Sequence, residues 1–256
     1  MMLVSSSTLA QSDIKPSGKH IINGTPASPG EFPQFVAFSD GGDYKGHICG
    51  GVLITPRWAL TAAHCTTRFD IHKTKVMVAL ESYSPLVVKD QVSIEKFIPE
   101  PRFDISNAKI SGMYDIALVK LSRDAKGGQL ANIDGVTDNN GPDPSLKDIP
   151  LTAIGFGLTE NNDRPYILYK VQESVYPDED CINVPPGYPK TNYNPAMNIC
   201  AGYGVAGGDS GGPLFAEANG KKYVVGLVSR SLIKPAEEFT RVRYYANWLK
   251  ETMEKE

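Results

Sequence analysis

The sequence predicts an all-β protein of the barrel or sandwich class. Most apolar residues fall in short β-branched or alternating runs, which turn-forming Gly, Pro, Asn and Asp separate. One stretch near the C-terminal end has the spacing of a helix instead. At 256 residues with 41% hydrophobic content, the chain is long enough to bury a sizeable core, as one large domain or two small subdomains.

Six segments carry the strand pattern and fall into two halves of the chain. They are "CGGVLI" (49–54), "WALTA" (58–62), "KVMVAL" (75–80), "PLTAIGFG" (150–157), "YILYKVQESVYP" (166–177) and "YVVGLVS" (223–229). The segment 122–148 between the halves is rich in Gly, Asn and Asp, which predicts a linker. Helical spacing near the end predicts a closing helix over about 244–254. The residues with that spacing are Tyr244, Tyr245, Trp248 and Leu249.

Charge and hydropathy argue against two kinds of partner. The formal net charge of −3 provides no general basic surface for nucleic acid. No apolar run approaches the ~18 residues that span a bilayer. We therefore expect neither a nucleic-acid partner nor a membrane partner.

The N-terminal segment and the cysteines favour export from the cell. "MMLVSSSTLA" (1–10) has the small residues Thr8 and Ala10 where a signal peptidase would cleave, which predicts the remnant of a secretory signal; an ordinary N-terminal tail is the alternative. The four cysteines form an even set without C-x-x-C spacing, which favours disulfides in a secreted protein. Sequence alone allows three pairings among them. "NGT" at Asn23 matches the glycosylation acceptor pattern.

Three short segments contain the residue types of a nucleophilic site: "TAAHC" (61–65), "DIALVKL" (115–121) and "GGDSGGPL" (207–214). A serine hydroxyl needs a base within hydrogen-bond reach and a third group that fixes the tautomer of that base. His64, Asp115 and Ser210 are of these three types. Each alone has a more common structural explanation, as a histidine beside a cysteine, a strand cap or a turn. The four glycines around Asp209 and Ser210 indicate a backbone that a Cβ would obstruct.

Taken together and in this chain order, the three segments resemble the signatures of the trypsin/chymotrypsin-like serine peptidases. The resemblance extends from Ile21 almost to the C-terminus through "IINGTPASPGEFPQFVAF", "HICGGVLITPRWALTAAHC" and "CAGYGVAGGDSGGPL". It implies a peptidase domain over 21–256, with two antiparallel β-barrels around a central cleft at about 27–121 and 149–243. Residues 1–20 would then be the signal remnant and an activation propeptide. The implied disulfides are Cys49–Cys65 and Cys181–Cys200.

The resemblance also implies acyl transfer as the mechanism. Ser210 would attack the peptide carbonyl while His64 takes its proton, and Asp115 would hold the imidazole in the useful tautomer. The amides of Gly208 and Ser210 would form the oxyanion hole.

The same resemblance implies activation by proteolysis. A freed α-amino group on Ile21 would pair with Asp209 and shape the oxyanion hole, so that the uncut chain is a zymogen. Such a pair must be complete, because removing one partner of a buried pair costs about 3–5 kcal/mol. His20 stands directly before Ile21, where family zymogens often have Arg or Lys. Either a different protease acts here, or cleavage after Lys19 is followed by trimming.

The residues expected at the primary pocket depart from the trypsin pattern. Gly204 takes the position at the pocket base where a trypsin has aspartate. Glu237 falls near the pocket floor and would attract Lys or Arg there; the alternative is that Glu237 and Glu238 are solvated loop charges. We therefore expect a chymotrypsin-like or broad preference for apolar residues, with some cleavage after basic residues if Glu237 points inward.

The wall of the pocket departs from the family pattern as well. Ser229 matches the serine before the substrate-pairing segment, whereas Arg230 and Ser231 stand where relatives usually have Trp-Gly. Ser231 would narrow the pocket entrance. Ala206 sits where relatives have one end of a third disulfide, so we expect a more mobile pocket.

The expected partners are polypeptide substrates and protein inhibitors of proteases, and we expect a monomer that needs neither a cofactor nor a metal. The region after 75–80 lacks the carboxylate spacing of the family's calcium loop. Asp70 and Asp104 are alternative acids by residue type alone, since neither opens an apolar strand. The remaining histidines are expected to be structural residues in turn-like or exposed positions; they are His20, His47 and His72.

Two other functions use the same fold or chemistry. Catalytically inactive homologues act as binding or decoy proteins, but they commonly lose one triad residue, and all three are present here. An esterase for small acyl groups would need a closed pocket rather than a peptide-binding strand. The sequence therefore predicts an active serine endopeptidase.

Overall fold

The computed structural model describes residues 24–107, 112–137, 139–142, 144–159, 163–183, 192–202, 204–231 and 236–256. The predicted signal remnant and propeptide, and the predicted sites at His20, Ile21 and Asn23, lie outside these residues. In the described ranges, none of the helices is long and apolar enough to cross a membrane.

The first half of the chain has nine strands, and six of them form a closed antiparallel barrel. The nine are β1 (Thr25–Pro26), β2 (Phe35–Asp40), β3 (His47–Thr55), β4 (Trp58–Thr61), β5 (Thr74–Val78), β6 (Ser82–Tyr83), β7 (Leu86–Val87), β8 (Asp90–Pro99) and β9 (Ala117–Leu121). The barrel order is β2-β3-β4-β9-β8-β5, while β6 and β7 form a separate hairpin. One turn of helix, α1 (Ala63–Thr66), follows β4.

The seven strands of the second half and β1 form an eight-stranded sheet that curls into a second barrel. Its further strands are β10 (Asn132–Ile133), β11 (Leu151–Gly155), β12 (Tyr169–Glu173), β13 (Asn198–Ala201), β14 (Pro213–Ala218), β15 (Lys221–Ser231) and β16 (Glu237–Arg241), and helix α2 spans Asp178–Ile182. The order is β1-β12-β11-β14-β15-β16-β13, and β10 pairs in parallel with β15. Beyond β12, Gly202 N–H donates to the Ser174 oxygen at 2.9 Å and Tyr176 N–H to the Cys200 oxygen at 3.0 Å. These bonds join β13 to the continuation of β12 and bring the ends of the sheet together.

Side-chain alternation along β2 separates two parts of the core. Val36 and Phe38 belong to the cluster inside the first barrel, whereas Phe35 and Ala37 belong to a cluster that both halves share. In that shared cluster the rings of Phe35 and Phe156 lie 5.9 Å apart. An apolar contact of this kind fixes the two halves relative to each other.

The chain ends with a 3₁₀ turn, Val242–Tyr245, and helix α3 (Ala246–Lys255). Leu249 is fully buried in the shared cluster, and Trp248 packs partly against it. The helix therefore closes the structure, as the apolar spacing predicts, with its α-helical part beginning two residues later than expected.

All six segments with the strand pattern contain strands, and the predicted fold class is confirmed. The segment 166–177 is a strand only over Tyr169–Glu173, because residues 166–168 bond to 81–83 and the chain beyond Glu173 turns from β11 to β13. The segment 122–148 also contributes the short strand β10.

Candidate active site

His64 and Asp115 are joined by two hydrogen bonds. His64 lies in α1, which follows β4, and Asp115 lies just before β9, the strand that pairs with β4. His64 Nδ1 is 2.7 Å from Asp115 Oδ2, and the backbone N–H of His64 donates to Asp115 Oδ1 at 2.8 Å. Because a carboxylate only accepts, Nδ1 carries the ring proton and Nε2 is left to accept one.

Asp115 is also held by the second barrel. Ser229 Oγ on β15 donates to Asp115 Oδ2 at 2.7 Å, and Thr240 Oγ1 on β16 donates to the Asp115 carbonyl at 2.9 Å. Burial alone would raise the pKa of Asp115, but the neighbouring His64 and three hydrogen bonds to the carboxylate lower it overall. Asp115 is therefore a buried and charged group, with Ser229 as one of its donors.

The loop that carries Ser210 is tied to the first barrel. Gly50 N–H on β3 donates to the carbonyl oxygen of Ser210 at 2.8 Å. Gly211 has a φ of +74°, and a Cβ there would lie 2.1 Å from Thr61 Oγ1 on β4, so the close approach requires glycine. In the described part of the chain the Ser210 hydroxyl makes no hydrogen bond to His64, a contact that often tightens only when substrate binds.

Position 208 also requires glycine, and the carbonyl group of Gly208 is bonded to the first barrel. Its φ is +108°, and a Cβ there would lie 3.2 Å from Gly157 Cα. Its carbonyl oxygen accepts a hydrogen bond from His47 Nε2 at 3.0 Å. Since Gly208 is the predicted first donor of the oxyanion hole, His47 supports the backbone that would bind the oxyanion.

His47 corrects the expectation of a turn-like or exposed histidine. It begins β3 and is 5% exposed, and its Nδ1 accepts a hydrogen bond from the Tyr83 hydroxyl at 2.9 Å. Burial lowers the pKa of His47 to about 4, so the ring is neutral at neutral pH. The sequence contained a signal for the burial of His47. Side chains alternate along a strand, so His47 points to the same side of β3 as the buried Cys49. His72, by contrast, is exposed in a turn as expected.

Asp209 directly precedes Ser210 in the same loop and is fully buried. Its Oδ1 accepts from Gly157 N–H at 2.7 Å and its Oδ2 from Ala206 N–H at 2.9 Å. Burial raises the pKa of Asp209 to about 6, although these two amides and the charge of Arg164 act in the opposite direction. Ile21, its predicted partner, lies outside the described residues.

Glu237 lies against Gly204, the predicted base of the primary pocket, and the alternative of solvated loop charges is wrong. Glu237 and Glu238 are 0% and 1% exposed because they lie in β16 rather than in a loop. The Glu237 carboxylate accepts from Gly204 N–H at 3.3 Å and from Val205 N–H at 3.1 and 3.0 Å. Burial and the nearby Glu173 raise the pKa of Glu237 to about 9.

Sequence reasoning missed Glu173, a second buried acid near Gly204. Glu173 ends β12 and is 3% exposed. Burial and the charge of Asp209 raise its pKa to about 8. Strand alternation also predicts the burial of Glu173, since it points to the same side of β12 as the buried Tyr169 and Val171.

Arg230 lies on β15, the strand predicted to form the pocket wall. Its Nε donates to the buried Glu238 Oε2 at 2.7 Å, and a Cβ at Gly112 would lie 2.3 Å from its Cζ. The guanidinium therefore packs flat against the Gly112 backbone, where relatives were expected to have an aromatic face. Ser231 ends β15, and its side chain lies outside the described part of the chain.

The structure forms the two disulfides Cys49–Cys65 and Cys181–Cys200. His64 lies near the sulfurs of the first, but a disulfide offers no thiolate to a metal ion. The alternative acids lie elsewhere: Asp70 accepts from His72 N–H and Asp104 from Ser106, both at exposed turns.

Sequence and structure comparisons relate this chain to proteins of one kind. The model of the Trypsin family matches residues 21–249. The chain is 29% identical to chymotrypsin-like elastase family member 1 of Macaca fascicularis, over 94% of this chain and 92% of that protein. It is 28% identical to CLIP domain-containing serine protease B4 of Anopheles gambiae, over 91% of this chain and 70% of that protein. The solved structure of neuropsin, a serine protease expressed in the limbic system of mouse brain, matches with a TM-score of 0.72 and 26% identity, over 91% of this chain and 100% of that chain.

Proposed function

The chain belongs to the Trypsin family of serine peptidases, and from this premise we propose that it is a secreted endopeptidase that cleaves peptide bonds through an acyl-enzyme. The observation that carries the proposal is the double hydrogen bond between His64 and Asp115, at 2.7 and 2.8 Å. Burying a charged carboxylate is costly unless it is well paired. The arrangement is the one that general-base catalysis by a histidine requires.

In the proposed reaction, Ser210 Oγ attacks the peptide carbonyl and His64 Nε2 takes its proton. The backbone N–H groups of Gly208 and Ser210 stabilise the oxyanion, and Asp115 stabilises the charged imidazolium. The proton then passes to the leaving amine, and the peptide bond breaks. Water attacks the acyl-enzyme with His64 again as the base, which releases the acid and restores Ser210.

We further propose that the chain is made as a zymogen. Asp209 is fully buried, and among the described residues its hydrogen bonds come from backbone amides rather than from a side-chain cation. A freed α-amino group on Ile21 would supply the missing positive charge. The pair would hold the Gly208 peptide in the conformation that the oxyanion hole needs.

The proposed substrates are polypeptides, and protein inhibitors of proteases would bind in the same way. Strand β15 would pair with the substrate backbone. We propose a broad preference for apolar residues at the acyl side of the scissile bond, which extends to basic residues because the Glu237 carboxylate lies against Gly204. The two disulfides favour an extracellular location, since such bonds persist in oxidising compartments.

The test is covalent labelling of the nucleophile. Protein trimmed to begin at Ile21 is treated with a serine-directed phosphonylating reagent, and its intact mass is compared with that of a Ser210→Ala control. A single adduct on the wild type alone supports the assembled nucleophile. Protein that still carries residues before Ile21 should react far more slowly. If the trimmed protein takes no adduct, the catalytically inactive binding or decoy protein becomes the favoured function.

A further inference from the structure

The loop that carries Ser210 is bonded to β15 on one side and to β3 on the other. Gly211 N–H donates to the Val228 oxygen on β15 at 2.8 Å. On the other side, His47 Nε2 on β3 donates to the Gly208 oxygen at 3.0 Å. Because the proposed reaction pairs the acyl part of the substrate with β15, the leaving part of the substrate lies over the β3 side of the loop.

Arg164 lies on this β3 side, next to the predicted oxyanion hole. Its Nη1 donates to the carbonyl oxygen of His47 at 2.9 Å. A Cβ at Gly208 would lie 3.4 Å from Arg164 Nη2. By the lengths of the backbone bonds, Nη2 is then within about 6 Å of the Gly208 amide nitrogen. A half-buried cation thus lies where the leaving part of a substrate would pass.

Most donors of the Arg164 guanidinium are unused. Among the described residues, its side chain makes one hydrogen bond, to His47, and no ion pair. The charge of Arg164 acts on the nearby Asp209, but both oxygens of that carboxylate accept from backbone amides. A guanidinium has five N–H donors in a fixed plane. Those on Nε and Nη2 are therefore available to an external acceptor.

A cavity of about 410 Å³ lies beside this guanidinium, with Tyr44, Arg164, Tyr166 and Ile167 in its wall. The rings of Tyr44 and Tyr166 lie 4.3 Å apart, and Tyr166 is 52% exposed. The Tyr44 hydroxyl donates to the carbonyl oxygen of Arg164, which fixes the cation relative to the rings. The cavity thus combines an aromatic wall with a positive charge, which suits a side chain that has a methylene stem and an anionic end.

Asp163 is the acid that lines the same cavity in the described part of the chain. Its N–H donates to Thr159 Oγ1 at 3.2 Å, and its carbonyl oxygen accepts from Thr159 N–H at 2.8 Å, so its backbone is held in a closed turn. Its exposed carboxylate forms no ion pair with Arg164. Asp163 therefore leaves the guanidinium open and weakens its attraction for an anion only through its charge.

We infer that Arg164 and this cavity form a binding site for an acidic side chain on the second residue after the scissile bond. This inference rests on the proposed peptidase function. An extended chain advances ~3.3 Å per residue, which brings the second residue of the leaving part beside Arg164. Its carboxylate accepts two parallel hydrogen bonds from the guanidinium, and its methylene stem packs against Tyr166.

The experiment measures acyl transfer, which isolates the leaving side. An ester substrate acylates Ser210, and the acyl-enzyme then reacts either with water or with an added dipeptide amide. The amine nitrogen attacks the acyl carbonyl and the ester bond breaks, while His64 takes the proton of the amine and passes it to Ser210 Oγ. The acyl group is the same in every reaction, so the effect of the primary pocket cancels. We expect Ala-Glu amide to react about fivefold faster than Ala-Gln amide.

Three variants and a control test the source of this preference. Arg164→Gln should bring the ratio of the two rates to about one, and Arg164→Glu should make Ala-Lys amide react faster than Ala-Gln amide. Asp163→Asn should raise the ratio about twofold, because a like charge is removed. Arg57→Gln removes the same charge from the exposed pair with Glu95 and should leave the ratio unchanged. Raising the salt concentration from about 0.05 to about 0.5 M should lower the wild-type ratio to below about two.

A second measurement tests the site without catalysis. Short peptides with Glu or Gln at this position are titrated into Ser210→Ala protein by calorimetry, where the Glu peptide should bind about fivefold tighter and lose this advantage on adding Arg164→Gln. Equal ratios and equal affinities with and without Arg164→Gln would overturn the inference, and continued hydrolysis of the ester would leave the peptidase function intact. Loss of acylation and of the phosphonate adduct in the wild type would instead refute the peptidase function, and the titration would still decide the role of Arg164. Thermal melting of each variant excludes misfolding as the cause.

Discussion

His47 Nε2 on β3 lies 3.0 Å from the carbonyl oxygen of Gly208, so the first barrel bonds directly to the peptide that precedes Asp209. The same loop is bonded to β3 a second time, through Gly50 N–H and the Ser210 carbonyl at 2.8 Å. The predicted nucleophile and oxyanion hole thus belong to the second half of the chain by sequence, but the first half fixes their backbone. Conversely, the second half fixes Asp115 through Ser229.

Replacing His47 should slow the chemical step more than it weakens substrate binding. His47→Ala removes the donor to the Gly208 carbonyl and lets the peptide between Gly208 and Asp209 turn. This turn would shift the two adjoining peptides, which carry the N–H groups of Gly208 and Ser210. Losing such a donor outright lowers the rate by ~10²–10³. Because the loss here is indirect, we expect kcat to fall about tenfold and KM to change little. Steady-state kinetics measure both constants.

The matched control for His47 is Tyr83→Phe. It removes only the hydroxyl that donates to His47 Nδ1 and leaves the donor to Gly208 in place. We expect kcat within about twofold of the wild type. If His47→Ala raised KM and left kcat unchanged, His47 would not support the oxyanion hole.

Ser229→Ala should reduce catalysis by removing one donor from the Asp115 carboxylate. The loss of a hydrogen bond to a charged group amounts to about 1.5–3 kcal/mol, part of which water or the remaining donors replace. We expect kcat/KM to fall about fivefold to tenfold for any peptide substrate. Thr240→Val is the control, because its hydroxyl bonds to the Asp115 backbone and not to the carboxylate. Equal effects of the two changes would show that the carboxylate does not depend on Ser229.

Sequence reasoning identified candidate residues that lie in short motifs, and it placed Glu237 near Gly204, but it missed Glu173, which only the fold brings there. His64, Asp115 and Ser210 each lie in a segment with its own pattern. Glu173 and Glu237 are 64 positions apart in the sequence, and strand alternation indicates which way each points but not what it meets. Their meeting at Gly204 depends on how β12 and β16 curve around the second barrel.

Removing Arg230 alone should destabilise the protein more than removing the charges of both Arg230 and Glu238. Glu238 is fully enclosed, so Arg230→Met leaves an unpaired buried carboxylate and should lower the free energy of unfolding by about 3 kcal/mol. Adding Glu238→Gln should recover most of that loss, because the charge is then absent. Urea unfolding of the two single variants and the double variant measures the coupling.

An exposed ion pair provides the comparison for Arg230. Arg57 and Glu95 are 2.6 Å apart with side chains 37% and 41% exposed, and Arg57→Met should cost less than about 1 kcal/mol. If both arginine changes cost the same, burial of Glu238 would not be the source of the effect.

Glu173 should make the folded protein less stable as pH rises. Burial raises its pKa from the ordinary 4.5 to about 8, so between these values the folded state holds a proton that the unfolded state has released. The contribution of Glu173 to the free energy of unfolding therefore falls with rising pH across this window and levels off above pH 8. Each pKa unit is equivalent to about 1.4 kcal/mol, and we expect a total loss of ~2–4 kcal/mol after allowing for relaxation of the site.

Glu173→Gln removes this titration, so in a Ser210→Ala background its urea midpoint should match that of the parent near pH 5 and exceed it near pH 9. Parallel pH curves for the two proteins would mean that Glu173 titrates as it does in water and is not buried in solution.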